Sequence, residues 1–296
     1  MSELFAKLAR RYDAFWLAEG TGIRLGWFRI AFASYLLVYL GMLAPHVEVL
    51  FSSHGVYTPY LLPDLAPAPA VAWLLFGAML GLCCSVLVGY RTELSALLLL
   101  GLYLHHYFLQ LAVKQSSFDR LIILYLAILS LAGAGQRVGL DGLRAPGPRV
   151  VWGERLIAAQ SMFLYTGSGL WKLVNPAWHN GELLHSTFQG MWATPLAFAI
   201  ARLELSSTTW SVAALLVVLL ELSLGPLLLI RKTRPLGIVL ATAFHLGNWV
   251  LLFIPEFLVC VAALVVFVDE RGLERLVALI TRAVRRVKRR ESRGAA

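Results

Sequence analysis

The residues best placed to do chemistry in this chain gather between Gln160 and His185, in QSMFLYTGSGLWKLVNPAWHNGELLH. An apolar helix enters this stretch, Gly167 and Gly169 are expected to break it, and Lys172 stands at its end. Asn175-Pro176 and a His-rich turn follow, with Trp171 and Trp178 close by. A lysine near the end of a membrane span has one ordinary use, which is to snorkel its ammonium to the interface. It also has a chemical use. Desolvation disfavours the charged form of an amine, and a neutral amine can take a proton as a general base. Residue type alone leaves both roles open.

Other ionisable groups fall at membrane depth, where their cost marks them as functional candidates. Glu221 and His245 are each about nine residues from the same end of sequential, antiparallel spans. Equal depth suggests an ion-paired or hydrogen-bonded couple, either gluing two helices or serving a proton relay or quinone pocket. His105 and His106 are read in the middle of the third span, beside Tyr103, Tyr107 and Gln110. Adjacent helical residues point about 100° apart, so one of the two can face a shared site. Asp119 and Arg120 open the fourth span after Ser116-Ser117, a ready N-cap. Capping with a local ion pair and a catalytic role are the two readings of Asp119. His46, His54, Tyr57, His179, Glu182, His185 and Glu256 collect on one side without any diagnostic ligand spacing, and no metal is expected.

These side chains need a scaffold, and composition says which. The chain is 59% hydrophobic and 15% charged, with a mean hydropathy of +0.72. Soluble domains hold about 45–50% apolar and about 25% charged residues, so the expectation is an all-α, polytopic transmembrane bundle. With about 20 apolar residues needed per crossing, spans are placed at 23–43, 69–90, 94–113, 118–134, 154–173, 212–230, 236–254 and 256–268. That makes about eight, with seven the alternative because the last is short. No polar linker divides the chain, so residues 23–268 form one membrane domain.

Charge orients it. The net charge of +9 lies mostly in short loops and the tail, as in membrane proteins, and not in a nucleic-acid-binding patch. Lys7, Arg10, Arg11, Arg91, Arg137, Arg144, Arg149, Arg155, Arg231, Lys232 and Arg234 fall on one side, while the other carries little beyond Lys114 and Arg202. Both termini are therefore expected in the cytoplasm, and Lys172 on the outward side. Residues 1–22 and 269–296 read as amphipathic helices lying on membrane lipid. Cys83, Cys84 and Cys260 sit in apolar segments and read as small hydrophobes. No cleavable signal is apparent.

An ordered set of short patterns resembles the vitamin K-dependent γ-carboxylase-like, or HTTM, membrane protein family. It contains Tyr165-x-x-x-Gly169-x-x-Lys172-Leu173 and Trp178-x-x-Gly181, with Arg29, Phe51-Ser52-x-x-Gly55 and Asp141-Gly142 before them. Glu221-Leu222, Arg234-Pro235, Phe244-His245-Leu246-x-Asn248 and Phe253-Ile254-x-x-Phe257 follow. The set covers roughly residues 24–268.

The resemblance implies that Lys172 deprotonates vitamin K hydroquinone or another quinol, starting a carboxylation or epoxidation. Tyr165, Trp178, Gly181, Glu221, His245 and Gln160 would support it. An Asn-Asn-His-like run of the carboxylases corresponds here to Ser116-Ser117-Phe118-Asp119, leaving His105, His106 or Asp119 to substitute for the histidine. The family's small bacterial members include a membrane protein that helps mature an exported peptide toxin, which this chain resembles in size. A peptide or small-protein partner is thus the alternative to a quinol enzyme, in the inner membrane of a bacterial cell. A transporter is disfavoured, because no inverted repeat with paired broken helices is visible.

Overall fold

The computed structural model describes residues 2–56, 65–111, 117–143, 149–279 and 282. Tyr57, Lys114, Ser116 and Arg144, and the tail beyond 282, lie outside the described residues.

Among the described residues the regular elements are helices, apart from a two-residue antiparallel pairing of Glu19–Gly20 with Arg149–Val150. Helix α1 (Ser2–Trp16) precedes α2 (Ile23–Leu43). A 3₁₀ turn, Ala44–His46, leads into α3 (Val47–Phe51). Then come α4 (Pro69–Val88), α5 (Thr92–Leu109), α6 (Ser117–Leu131) and α7 (Trp152–Val174). Three short helices follow, α8 (Pro176–His179), α9 (Glu182–Thr187) and α10 (Pro195–Ala201). Long helices α11 (Ser207–Leu229) and α12 (Arg234–Leu252) come next. The last predicted span is three pieces: a 3₁₀ turn at Pro255–Phe257, α13 (Leu258–Ala263) and a second 3₁₀ turn at Leu264–Phe267. Residues 270–279 are helical again.

Among the described residues, four helical runs are long and apolar enough to cross a membrane: Ile23–Phe51, α4, α11 and α12. Many of their side chains face outward without a protein partner, among them Leu74, Leu216 and Val239, as lipid-facing residues do. The other apolar segments are shorter or more polar. A segment walled by protein need not be apolar on every side, and α6 buries Asp119, Leu121, Ile122, Tyr125, Leu126, Ile128 and Leu129. The core is a seam of Phe28, Phe32, Leu36, Phe76, Leu99, Ile122, Tyr125 and Ile157, with the Tyr125 ring edge-on to both phenylalanines, Phe28 and Phe32.

The two ends of the bundle differ in charge. At the basic end, where α2 and α7 begin, Arg29 is wholly buried. It donates to the carbonyls of Ala134, Val86, Leu87 and Val138. A guanidinium in hydrocarbon is tolerated when its donors are matched, and this one ties α2 to the end of α4 and to the loop after α6. Asp141 caps α5 from across the chain, accepting from the Arg91 and Thr92 amides and the Thr92 hydroxyl, each at 2.8 Å. Those amides are among the orphan donors that every helix start must satisfy.

Candidate functional site

Helix α7 carries the candidate lysine to the far end. The helix is continuous from Trp152 to Val174, so the expected break at Gly167 and Gly169 does not occur. The glycines serve packing instead. A Cβ at Gly169 would come within 2.8 Å of the Leu222 side chain, so this glycine lets α11 lie directly against α7. Residues 165, 168, 169 and 172 share one face at helical spacing, and that face meets α11 and α12.

On this face Lys172 Nζ stands 2.5 Å from Glu221 Oε2 and donates to Ser168 Oγ at 2.7 Å. Ser168 in turn lies 3.2 Å from both Glu221 carboxylate oxygens. The lysine side chain is 13% exposed and the glutamate 6%. Trp178 lies across the ammonium, with Nζ 5.1 Å from the ring centroid, and its own Nε1–H is buried without a partner. Two of the three Lys172 donors are occupied, leaving one for a ligand. Of the two uses open to Lys172, snorkelling to water gives way to a clamp on α11.

The expected Glu221–His245 couple is also replaced. Glu221 pairs with Lys172, and His245 Nε2 lies 2.8 Å from the Tyr165 hydroxyl. Equal depth along two helices did not make these residues neighbours, because Glu221 faces α7, the helix packed against α11, and the Lys172 stem reaches back along its own axis to meet it. His245 Nδ1 is left buried and unpartnered, and the ring stacks on Phe257 at 5.6 Å.

Phe257 meets Phe118 edge-on at 4.3 Å, and beyond it lies a second polar cluster. Asp119 accepts the Tyr103 hydroxyl at 2.6 Å. His106 Nδ1 donates to the Leu102 carbonyl at 2.8 Å, since a carbonyl can only accept, and so its Nε2 is a bare acceptor. That atom is buried without a partner, as is Gln110 Oε1. Both residues, with Tyr39, Tyr103 and Asp119, line a cavity of about 50 Å³, enough for one or two waters at about 30 Å³ each. The cavity is too small for a quinone ring. Because α5 ends at Leu109, His105 and His106 fall near its far end and not at mid-span. His105 turns away, with Nε2 3.0 Å from the Leu65 carbonyl.

Gln160 is not part of this assembly. It precedes Lys172 by twelve residues on one helix, about 18 Å along the axis. Gly181 has a positive φ of 75°, and a Cβ there would run into the backbone of Trp210, so it turns the chain after Trp178 back onto α11. His179 Nε2 donates to the Leu173 carbonyl at 2.5 Å, and His185 packs on Trp210 at 4.7 Å. Among the described residues no three of His, Cys, Asp and Glu group as metal ligands. Ser168 and Tyr39 were missed from the sequence. The Ser168–Lys172 spacing of four was the available signal for the first, and Tyr39 had none.

The arrangement can move a proton. A lysine and a carboxylate at contact share one exchangeable proton, and a serine hydroxyl bridges them as both donor and acceptor.

Comparison with known proteins gives one clear finding and two blanks. The model of the HTTM domain matches residues 20–271. Neither a curated protein nor a solved structure matches the chain. The match takes in every element from α2 to Phe267, and with the apolar helices it places the chain in the HTTM family as a multi-pass membrane protein.

Proposed function

We propose that this protein is a membrane enzyme that removes a proton from a lipid-soluble substrate at the far end of the bundle, with Lys172 and Glu221 as the accepting pair. The observation that carries the reading is the Lys172–Ser168–Glu221 network, small, nearly dry and left with one lysine donor and the Trp178 N–H unmatched. As Lys172 takes a proton from substrate, it passes one to Glu221. The pair then holds an ammonium against the new anion and a neutral carboxyl behind it. Trp178 can donate its N–H to that anion, which is where preorganised donors lower a barrier most. Tyr165 and His245 brace α7 against α12 and fix the lysine's face.

A vitamin K-type hydroquinone or another quinol fits this chemistry as the substrate, since it would supply an acidic hydroxyl and reducing electrons. It would approach from the bilayer, past the outward-facing Leu170, Trp171 and Val174, and not through the small cavity by Asp119. Eight spans, cytoplasmic termini, an inner-membrane location and an outward-facing site belong to the same reading.

A second reading has its own support. The Lys172–Glu221 pair lies at a close approach of α7 and α11, beside Gly169 and Leu222, where an ion pair could simply join two helices. The protein would then be a non-catalytic partner in maturation or export of a secreted peptide.

The test is binding of a naphthoquinol to the detergent-purified protein, with oxygen consumption followed in parallel, in wild type and Lys172→Ala. The enzyme reading expects binding and turnover in wild type, and loss of turnover in the variant. Wild type that neither binds nor consumes oxygen would overturn the quinol reading and leave the peptide partner.

A further inference from the structure

The basic end holds a site that the chemistry of the far end does not use. The first turns of α7, the start of α2, the end of α11 and the start of α12 enclose a cleft of about 220 Å³ against Phe267. One wall carries Arg24, Arg155 and Arg234, with Glu154 the single carboxylate in the lining; the floor is apolar, including Met162 and Leu228. Across Arg234 and Phe267 a second cavity of about 360 Å³ continues it, adding Arg231, Arg271 and Asp269.

The charges here are unequally matched. Arg24 is held by Glu154 at 3.7 Å, by Glu270 at 3.6 Å and by the Val268 carbonyl at 2.8 Å. Arg231 is 3.7 Å from Asp269. Among the described residues, Arg155 and Arg234 meet no carboxylate at such a distance. Arg155 lies on the Phe15 ring at 4.5 Å, and its Nη1 is buried without a hydrogen-bond partner. Arg234 gives Nε and Nη2 to the carbonyls of Leu228 and Leu229, which aims its charge without neutralising it. A buried guanidinium N–H left unmade is costly, and a forked donor of this kind suits a phosphate.

The setting selects the source of that phosphate. Beside the cleft, α1 exposes Leu4, Phe5, Leu8, Tyr12 and Phe15, while Lys7, Arg10 and Arg11 occupy the same helix, the pattern of a helix lying at the headgroup level. Leu229, Ile230 and Leu236 face outward around Arg231 and Arg234, as side chains in contact with acyl chains would. The cleft therefore opens where headgroups meet hydrocarbon. We propose that it is a binding site for one anionic phospholipid, its phosphate between Arg155 and Arg234 and its acyl region along Met162, Leu228 and Phe267.

The experiment is native mass spectrometry of the full chain in detergent, titrated separately with phosphatidylglycerol, phosphatidylcholine and inorganic phosphate. One phosphatidylglycerol should be retained per chain, about tenfold tighter than phosphatidylcholine. Arg155→Gln and Arg234→Gln should each weaken it by about tenfold, the loss of a charge-assisted hydrogen bond. Arg202→Gln, at the other end, should change nothing. Arg155→Lys keeps the charge and provides a folded variant should the glutamine fail; it should lose a few-fold. Equal retention of the two lipids, unchanged binding in the arginine variants, or displacement of the lipid by an equal concentration of inorganic phosphate would each overturn the proposal.

Discussion

Arg29 and Lys172 are both cations withdrawn from water in the same bundle, yet they are held in opposite ways. At the basic end Arg29 gives its hydrogen bonds to backbone carbonyls, and those carbonyls cannot change protonation or move away. At the far end Lys172 meets a carboxylate and a hydroxyl, both able to exchange protons. Asp141 and Asp119 repeat the contrast. Asp141 receives two backbone amides beside the Thr92 hydroxyl, whereas Asp119 receives a tyrosine hydroxyl and borders a cavity with two bare acceptors. Charge fastened to backbone builds the fold; charge fastened to other side chains, with donors and acceptors left over, is available to a substrate. The lipid cleft mixes the two, because Arg234 donates to backbone carbonyls while Arg155 keeps a buried N–H unmade where a ligand is proposed.

The contrast can be attacked at several points, beginning where the effect is largest. Arg29→Met would strand several buried carbonyls at about 1–3 kcal/mol each. It should abolish folded protein, read as loss of a monodisperse peak after detergent extraction; a folded variant would break the comparison at its structural end. Lys172→Met leaves Glu221 unpaired and should cost about 3 kcal/mol, seen as a lowered melting temperature. Adding Glu221→Leu should recover most of that stability, since an apolar pair can replace a buried ion pair. Gly169→Val forces a branched side chain against Leu222 and should cost about 1–3 kcal/mol by separating α7 from α11. Asp141→Ala removes a helix cap and should cost about 1 kcal/mol, with any turnover unchanged. Gln160→Leu should stay within about 0.5 kcal/mol of wild type and leave turnover intact.

Much of this was legible in the sequence, and the gaps have physical causes. Composition alone fixes the class, because few soluble chains could keep this much apolar surface from water. The long helices begin and end within a few residues of where hydropathy places them, as at Ile23–Leu43 and Pro69–Val88. Lys172 was legible too, because a cation beside small residues at the end of an apolar run stands out. Its partner was not. Hydropathy gives depth along each helix but not rotation about it, so Glu221 was matched to His245 at equal depth and not to the lysine on the facing helix. Gly169 looked like a break because a glycine's two uses, flexibility and close approach, are identical in one dimension. Asp141 capping a helix that begins at Thr92 could not be read either, since local capping rules reach only a few residues.

The measurement that bears most directly on the central claim is quinol-dependent oxygen consumption by the Lys172→Met/Glu221→Leu double variant, beside wild type, after both are shown to melt at similar temperatures. The account predicts turnover in wild type and none in the double variant, because the pair is chemistry as well as glue. A double variant as stable and as active as wild type would contradict it, and would return Lys172 and Glu221 to the same structural class as Arg29.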